Sequence, residues 1–241
     1  MRVCLLRLRG VSIFEQLQLE EALLRADRRN WCIVNYNAAP AIVMGISGKA
    51  EELLAVDPVN SSVPIIRRFS GGGCVVVDPA TFFVTMICNV EGDRPSAFPQ
   101  DVARWNAELY RPFLEHLDFR LCENDYVLGA RKFGGNAQYL TKDRWLHHST
   151  LLWDYDSRLM NLLKMPEKRP KYREERCHDD FLCRLSEHFS SLGNFYDVFI
   201  QNLREKFNVI EINCEEAREI CQRPHRKATV FLECAGLPAP S

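Results

Sequence analysis

Two arginines stand shortly before three glycines in residues 67–74, which read Arg-Arg-Phe-Ser-Gly-Gly-Gly-Cys. Glycine lets the backbone bend freely and lets a ligand approach it closely. The guanidinium groups of Arg67 and Arg68 are planar donors suited to phosphate or carboxylate. The segment therefore predicts an anion-binding loop, with a flexible hairpin whose arginines face water as the alternative. It is not a Walker loop, because no Gly-Lys-Ser/Thr follows, nor a dinucleotide fingerprint, because Val76 stands where a third glycine is needed.

A lysine precedes a second glycine pair in residues 131–138, Arg-Lys-Phe-Gly-Gly-Asn-Ala-Gln. The ammonium of Lys132 is a point charge that can neutralise a phosphate or polarise a carbonyl oxygen in a water-poor site. Asn124 and Asp125 favour a turn, and equally a carboxylate beside phosphates is what Mg²⁺ needs. A third segment, residues 147–152 (His-His-Ser-Thr-Leu-Leu), brings polar groups into a buried strand.

Apolar periodicity predicts the elements that must position these segments. Alternation over residues 3–8 predicts a first strand, and Ser12 with Glu15 predicts a capping box that opens a helix to about Arg29. Helices are also predicted over 96–117, with Pro112 kinking that helix or starting a second piece, and around 181–189 and 195–207. Further strands are predicted at 31–36 and 41–45 as a hairpin, at 63–68, 74–77 and 81–89 as an antiparallel meander, and at 126–128, 132–133 and 146–153. Short strands before a helical tail are typical of an α+β fold.

The composition excludes several classes of protein. The chain has 241 residues with 31 Lys and Arg against 32 Asp and Glu. This balance gives no global field toward nucleic acid, and no basic stripe is interleaved with aromatic residues. No apolar run approaches the roughly 18 residues of a membrane span. The ten cysteines lie at irregular spacings without a CxxC pair, which is typical of buried thiols in a reducing compartment. We expect the cytoplasm, with the mitochondrion as the alternative because the first ten residues carry three arginines and no acid.

The three segments in this order, together with Val43-Met44-Gly45, resemble the lipoate–protein ligase A family, the lipoyl branch of the biotin/lipoate ligase superfamily. The resemblance runs from the first helix to about Asp154 and is weaker over 164–189. It implies a mixed, largely antiparallel sheet with flanking helices, as in the catalytic domains of biotin protein ligases and class II aminoacyl-tRNA synthetases. It also implies one catalytic domain over 1–241, with a motif core at about 12–189 and a helical part at about 190–241.

The family resemblance implies a two-step reaction. Lipoate attacks the α-phosphate of ATP, with Mg²⁺ as the metal, to give lipoyl-AMP and pyrophosphate. A lysine of the acceptor then attacks the acyl carbon, the acceptor being the lipoyl domain of a 2-oxoacid dehydrogenase E2 subunit or the glycine-cleavage H protein. Larger members carry an accessory carboxy-terminal domain, and some short members need a separate accessory polypeptide to form the adenylate. We expect a monomer.

The resemblance also assigns residues position by position. Lys132 matches the lysine that contacts both the acyl carbonyl and the phosphate, so it is the catalytic residue, and Asp125 is the candidate for Mg²⁺. The residues expected to bind ATP and lipoyl-AMP are Arg67, Arg68, Ser70, Gly71, Gly72, Gly73, Cys74, Val75, Val76, Asn124, Asp125, Lys132, Gly134, Gly135, His148 and Thr150. The chain departs from the family at Cys74, where Ala or Thr is common, and over 133–137, changes that alter pocket shape without removing a charge.

Two other functions compete with the ligase. Related transferases move octanoyl or lipoyl groups between carrier proteins through a cysteine thioester, and Cys122, ten residues before Lys132, is the candidate nucleophile. A catalytically idle member would bind an acyl-adenylate or a lipoyl domain, although Lys132 and both arginines are retained. The basic residues between Lys164 and Arg176 predict either a docking surface for an acidic carrier domain or a solvated loop.

Overall fold

The computed structural model describes residues 1–58, 61–91, 98–165 and 170–232. Its larger sheet has eight strands. In spatial order they are β11 (Asn208–Ile212), β1 (Arg2–Arg7), β2 (Trp31–Asn35), β6 (Thr81–Asn89), β10 (Arg144–Leu152), β9 (Arg131–Leu140), β8 (Asp125–Leu128) and β7 (Phe119–Cys122). Strand β1 is parallel to both neighbours, and the remaining pairs are antiparallel.

Four further strands form a second sheet. In spatial order they are β12 (Val230–Phe231), β4 (Ile65–Arg67), β3 (Ala41–Met44) and β5 (Cys74–Val77). Strand β3 is parallel to β4 and antiparallel to β5. Because β4 and β5 lie on opposite sides of β3, the glycine loop that connects them has to cross the end of β3.

Short helices and single turns connect and cover the sheets. The helices are α1 (Ile13–Ala26), α2 (Ala50–Leu53), α3 (Pro99–Ala107), α4 (Arg111–Leu114), α5 (Ser157–Met160), α6 (His178–Phe181), α7 (Leu192–Lys206) and α8 (Cys214–Cys221). Turns of 3₁₀ helix lie at Glu115–Leu117, Lys171–Arg173 and Leu185–Glu187. Within the described ranges, no helix combines the length and the apolar character that a membrane crossing requires.

Helix α1 forms part of both cores. Ser12 Oγ accepts a hydrogen bond from Glu15 N at 3.2 Å, which confirms the predicted N-cap. The apolar face packs Ile13 and Leu17 against the smaller sheet and strand β6, and carries Leu23 in the core with strands β1 and β2. The helix ends at Ala26, before the predicted Arg29, because Asp27 adopts an extended conformation.

The α+β class and the mixed, largely antiparallel pairing are confirmed, but the predicted pairing of individual strands is partly wrong. The two strands expected to form a hairpin, β2 and β3, lie in different sheets. The expected meander is also absent from the pairings, since β4 and β5 both pair with β3 while β6 belongs to the larger sheet. Strands β2 and β3 are buried along their whole lengths, so their sequences carry no alternation that identifies a partner.

Three predicted element bounds also differ. Strand β9 spans Arg131–Leu140 rather than 132–133, because pairing on both sides holds its glycines and polar residues in the sheet. The helix expected around 181–189 is reduced to α6 and one 3₁₀ turn. The part of 190–241 that is described, 190–232, holds strands β11 and β12 besides two helices. At Pro112 the chain does start a second helical piece, α4.

Candidate active site

A cavity of about 490 Å³ lies between the two sheets, and helix α1 supplies a further wall. Most of the residues predicted from the sequence line it, namely Arg68, Gly72, Gly73, Cys74, Val75, Val76, Asn124, Asp125, Lys132, Gly135, His148 and Thr150. Four predicted residues do not, namely Arg67, Ser70, Gly71 and Gly134. Apolar side chains form the rest of the wall, among them Ile13, Leu17, Val43, Val77, Phe83, Leu152, Met160 and Leu163.

The glycine loop is fixed where it crosses the end of β3. Its backbone hydrogen bonds are Arg68 N to Met44 O at 2.9 Å, Ile46 N to Ser70 O at 3.0 Å and Gly45 N to Gly73 O at 3.0 Å. A Cβ atom on Gly45 would lie 2.1 Å from Gly72 O. The crossing therefore needs glycine at position 45, outside the glycine triplet itself.

Arg68 is a buried cation at one end of the cavity, with only 4% of its surface exposed. It donates from Nε to Ser70 Oγ at 3.0 Å, from Nη2 to Gly71 O at 2.8 Å and from Nη1 to Val43 O at 3.4 Å. Among the described residues it forms no ion pair. Burial lowers the pKa of Arg68 to about 10, so it remains charged at neutral pH. Gly72, with φ at 102°, leaves room for this group, because a Cβ there would lie 2.7 Å from Nη2.

Arg67 does not share the position of Arg68. It is partly exposed, and its Nη1 donates to Ile46 O at 3.3 Å. Arg67 is the last residue of β4 and Arg68 follows it, and neighbouring residues of an extended chain point to opposite sides. Of the two arginines predicted to face one ligand, only Arg68 lines the cavity.

A chain of buried polar groups lies behind Arg68. Ser70 Oγ is 3.0 Å from His148 Nε2, and His148 Nδ1 is 2.9 Å from Glu20 Oε2. The other oxygen of Glu20 accepts hydrogen bonds from Gln16 Nε2 at 2.8 Å and from Thr85 Oγ1 at 2.7 Å. Ser70 thus contacts Arg68 and His148 rather than lining the cavity.

Lys132 lies in the wall on β9 with an ion partner. Its Nζ is 2.8 Å from Asp125 Oδ1, and 23% of the lysine side chain is exposed. Tyr172 donates from its hydroxyl to Asp125 Oδ2 at 2.8 Å. Burial, and after it the Asp125 charge, raise the pKa of Tyr172, so the phenol stays a donor. Both oxygens of Asp125 are therefore engaged.

The two glycines after Lys132 have different roles. A Cβ on Gly135 would lie 3.2 Å from Lys132 Nζ, so this glycine leaves space for the ammonium. A Cβ on Gly134 would lie 2.8 Å from Leu151 Cδ2 and 3.2 Å from Tyr126 Cδ2, inside the sheet packing. Gly134 is thus a packing residue, away from the cavity wall.

The paired histidines lie on opposite faces of β10, as the alternation of a strand requires. His147 is buried away from the cavity, with Nε2 3.1 Å from Tyr126 Oη and Nδ1 3.1 Å from Gln138 Nε2. Burial lowers the pKa of His147 to about 3. It is therefore neutral at pH 7 and structural, whereas His148 faces the cavity.

The cysteines give little support to a thioester mechanism. Nine cysteines lie in the described ranges, and none forms a disulfide. Cys74 lines the cavity, but burial raises its pKa to about 12 although Arg68 opposes the change. Cys122 is partly buried on β7 and is not part of the described wall. The thiol in that wall is thus a weak nucleophile.

The candidate metal ligand, Asp125, and the basic segment between 164 and 176 were also predicted to bind partners. The described part of the chain has no cluster of three His, Cys, Asp or Glu side chains suited to a metal ion. Asp125, predicted to hold Mg²⁺, is already bound by Lys132 and Tyr172. In the basic segment between 164 and 176, residues 166–169 lie outside the described ranges. Lys164 and the buried Arg173 line the cavity, whereas Arg176 Nη1 donates to Ala130 O at 2.8 Å.

Sequence reasoning missed Glu20 and Tyr172. A signal for Glu20 existed, because it falls seven and three residues after Ile13 and Leu17 and so lies on the apolar face of α1. A carboxylate on such a face needs a partner. Tyr172 carries no such signal, since it reaches Asp125 from a turn 47 residues away in sequence.

The sequence of the chain is similar to known proteins. Residues 12–208 match a family model described as the lipoyl protein ligase A/B catalytic domain. The chain is 24% identical over 229 residues to inactive lipoate–protein ligase 2 of Plasmodium falciparum, covering 70% of this chain and 60% of that protein. It is 30% identical over 141 residues to lipoate–protein ligase LplJ of Bacillus subtilis, covering 57% of this chain and 42% of LplJ. The chain thus spans less than two thirds of either relative.

Solved structures share the fold. One is a lipoate–protein ligase A bound with ATP, with a TM-score of 0.73, 18% identity and coverage of 92% of each chain. Another is the bipartite lipoate–protein ligase of Thermoplasma acidophilum, solved in a study of that ligase and its E2 lipoyl domain. Its TM-score is 0.74 at 19% identity, covering 92% of this chain and 91% of that one.

Proposed function

We propose, from the premise that the chain belongs to the lipoyl protein ligase A/B catalytic-domain family, that it transfers a lipoyl group from lipoyl-AMP to a lysine of an acceptor protein. One observation carries this proposal. The wall of a single cavity holds the cations Arg68 and Lys132 of the two glycine-containing motifs, with Lys164 and Arg173 also in the wall, together with an apolar lining. An acyl-adenylate needs both, because its phosphate is anionic and its acyl tail is apolar.

The glycine loop forms the phosphate end of the proposed site. Arg68 is already fixed by Ser70, Gly71 and Val43, so it needs no rearrangement when a phosphate arrives. Fixed donors of this kind stabilise developing charge more than mobile ones. If the chain also forms the adenylate, the lipoate carboxylate attacks the α-phosphate of ATP and pyrophosphate leaves. Arg68 would then neutralise the charge at the attacked phosphate.

Lys132 serves the transfer step in this proposal. The acceptor amine forms a C–N bond to the acyl carbon, the bond between that carbon and the phosphate oxygen breaks, the amine loses a proton, and AMP leaves. Negative charge grows on the acyl oxygen during the attack, and the Lys132 ammonium would stabilise it. To reach the ligand, the lysine exchanges Asp125 for it. No cysteine takes part, because the phosphate already activates the acyl group.

The apolar wall between α1, β5 and β6 suits the acyl tail. Leu17, Val77 and Phe83 meet there in one cluster of buried side chains, and burial of a dithiolane or an alkyl chain against them is favourable. The same surface suits octanoate, so we propose lipoate as the substrate and octanoate as a competitor.

The remaining components belong to the proposal as well. Mg²⁺ would enter with ATP on its phosphate oxygens, because Asp125 is already engaged by Lys132 and Tyr172. The acceptor would be a lipoyl domain of an E2 subunit or the glycine-cleavage H protein, and a separate accessory polypeptide would assist adenylate formation. The ligase would act as a monomer in a reducing compartment, the cytoplasm or the mitochondrion, where the described thiols remain reduced.

A second candidate function is binding without catalysis. It is favoured by the similarity to a relative named inactive. In that case the cavity would bind lipoyl-AMP, but no acyl group would reach the acceptor. Retention of both Arg68 and Lys132 in the wall favours the active enzyme.

The test is acyl transfer to an apo lipoyl domain, followed by intact mass spectrometry. Parallel reactions contain lipoate with Mg-ATP or preformed lipoyl-AMP. We expect the acceptor to gain the mass of one lipoyl group from lipoyl-AMP, and gain from both donors would establish a complete ligase. Lipoyl-AMP that binds without transfer would instead identify the idle binder. Transfer only from an octanoylated carrier protein would contradict the proposal and favour a thioester mechanism.

A further inference from the structure

Glu20 is a buried charge that the proposed reaction does not use. None of its surface is exposed, and it lies on the apolar face of α1. Its Oε1 is occupied by two donors, Gln16 Nε2 and Thr85 Oγ1, and its Oε2 faces His148 Nδ1 at 2.9 Å. Burial of a carboxylate is costly unless its oxygens have well-ordered partners, and both oxygens of Glu20 have them.

Donor and acceptor counts limit the positions of the hydrogen atoms in the contacts from Glu20 through His148 and Ser70 to Arg68. An ionised carboxylate only accepts, so His148 Nδ1 must carry the hydrogen that faces Glu20. If the imidazole is neutral, it accepts at Nε2, and the Ser70 hydroxyl 3.0 Å away donates to it. With its hydrogen directed to His148, the Ser70 oxygen accepts from Arg68 Nε at 3.0 Å.

The charges at the two ends of this chain match. Arg68 is a buried cation without an ion pair among the described residues, and Glu20 is a buried anion two side chains away. In a water-poor interior, such charges interact over longer distances than at the surface. Glu20 is thus placed to balance Arg68 while leaving the ligand-facing edge of the guanidinium free of a carboxylate.

We propose that Glu20 is a positioning residue, which holds His148 in the tautomer with hydrogen on Nδ1 so that Ser70 orients Arg68 toward the cavity. The consequence for lipoyl-AMP rests on the proposed function, whereas the tautomer of His148 does not. A ligand phosphate would meet an arginine that is oriented before it arrives, and the cost of ordering the side chain would already be met in folding.

The first test reads the tautomer directly in the ligand-free protein. Long-range ¹H–¹⁵N correlation spectra distinguish a histidine with hydrogen on Nδ1 from one with hydrogen on Nε2. We expect the Nδ1 form for His148 in the unaltered chain. In Glu20→Gln the Oε2 position becomes an amide donor, so we expect the Nε2 form. A wild-type His148 in the Nε2 or doubly protonated form would overturn the proposal even if Glu20→Gln failed to fold.

A matched control is the neighbouring residue on the same helix. Glu21 is also buried, but it accepts from Ala228 N at 2.9 Å and lies away from the cavity. Glu21→Gln makes the same chemical change, and we expect it to leave the His148 tautomer unaltered. If Glu21→Gln shifted the tautomer as Glu20→Gln does, the effect would be general to the helix and the proposal would fail.

The second test measures the dissociation constant of lipoyl-AMP by calorimetry. We expect Glu20→Gln and Ser70→Ala each to raise it about tenfold, because an oriented charged hydrogen bond is lost. Ser70→Ala should leave the His148 tautomer in place, since Glu20 still holds Nδ1, and Glu21→Gln should change the constant less than twofold. Unaltered affinity in both Glu20→Gln and Ser70→Ala would overturn the positioning role. A wild-type protein that fails to bind lipoyl-AMP would contradict the proposed function, and the spectra would still decide the tautomer.

Discussion

Two cations of the cavity wall, Arg68 and Lys132, are held in opposite ways. Arg68 is 4% exposed and bound to three neutral oxygen atoms, whereas the Lys132 side chain is 23% exposed and paired with a carboxylate. The arginine therefore presents its charge to a ligand without losing a partner. The charge of the lysine is already balanced by Asp125, so in the proposed reaction it exchanges that carboxylate for the ligand. In that proposed reaction, one end of the site is formed before the ligand binds, and the other is completed by an exchange of ion partners.

This difference assigns the two ends to different steps. A fixed arginine suits the phosphate, which is anionic in the ground state and in the transition state alike. An exchangeable lysine suits the acyl oxygen, which gains charge only as the amine attacks. In that proposed exchange, Tyr172, bound to the second oxygen of Asp125, would keep the carboxylate in place while the lysine leaves it.

Replacing Lys132 has the largest expected effect. Lys132→Leu removes the charge that meets the acyl oxygen, so transfer from lipoyl-AMP should fall by about 100- to 1000-fold, the loss typical of one such donor. Intact mass of the acceptor over time measures the rate. Lys142→Leu, at an exposed lysine in the turn between β9 and β10, should transfer at the unaltered rate. A folded Lys132→Leu protein with normal transfer would remove the lysine from the mechanism.

Gly45 tests whether the arginine end depends on the loop crossing. Gly45→Ala brings Cβ to 2.1 Å from Gly72 O, so the loop must shift, and we expect a loss of about 2 to 3 kcal/mol in the free energy of unfolding. Gly71→Ala meets no atom within 4 Å and should change that free energy by less than about 0.5 kcal/mol. Urea denaturation measures both. Equal stabilities would mean that the loop is not fixed at β3.

His147 and His148 lie on opposite faces of β10, so a pH effect of His147 on the free energy of unfolding can be measured apart from the cavity. The pKa of His147 falls from 6.5 to about 3 on burial, so the unfolded chain binds a proton that the folded chain rejects between these values. Stability is therefore complete above about pH 6.5 and decreases as the pH falls toward 3, by about 4 kcal/mol at the acid end from this group. His147→Gln should flatten this part of the stability profile. A profile with the same slope in the variant would show that His147 is protonated in the fold.

Replacing Tyr172, which binds Asp125, has the smallest expected effect on transfer. Tyr172→Phe removes a hydrogen bond from Asp125, so the carboxylate binds Lys132 more strongly and releases it less readily. Transfer from lipoyl-AMP should slow by about two- to fivefold. Tyr139→Phe, whose hydroxyl accepts from Arg25 outside the cavity, should not alter the rate. Faster transfer in Tyr172→Phe would show that the tyrosine hinders the lysine instead.

The sequence identified the charged groups of the site better than their arrangement. Lys132 and Arg68 are predictable because a charge shortly before a glycine run leaves a local pattern, and Asp125 is predictable from the Asn-Asp pair. Arg67 and Arg68 are adjacent in the motif, but only Arg68 lines the cavity, because neighbouring residues of an extended chain point to opposite sides. Glu20 also lines the cavity, but in the sequence it is visible only as a polar residue on an apolar helix face.

Long-range pairing limited the prediction of the fold. Strands β2 and β3 are each buried throughout, and nothing local distinguishes a hairpin from two strands in separate sheets. Strand β9 was recognised only at its start because Gly134 and Gly135 have low strand propensity. Its partners on both sides and the space needed by Lys132 and Leu151 explain those glycines.

A crystal structure with lipoyl-AMP would test the contrast between the two cations most directly. The measured quantities are the distance from Lys132 Nζ to Asp125 Oδ1, now 2.8 Å, and that from Arg68 Nε to Ser70 Oγ, now 3.0 Å. We predict that the lysine moves to the acyl carbonyl and its distance to Asp125 exceeds hydrogen-bonding range, while the arginine contact is unchanged. A complex in which Lys132 remains on Asp125, or in which Arg68 leaves Ser70, would contradict this account.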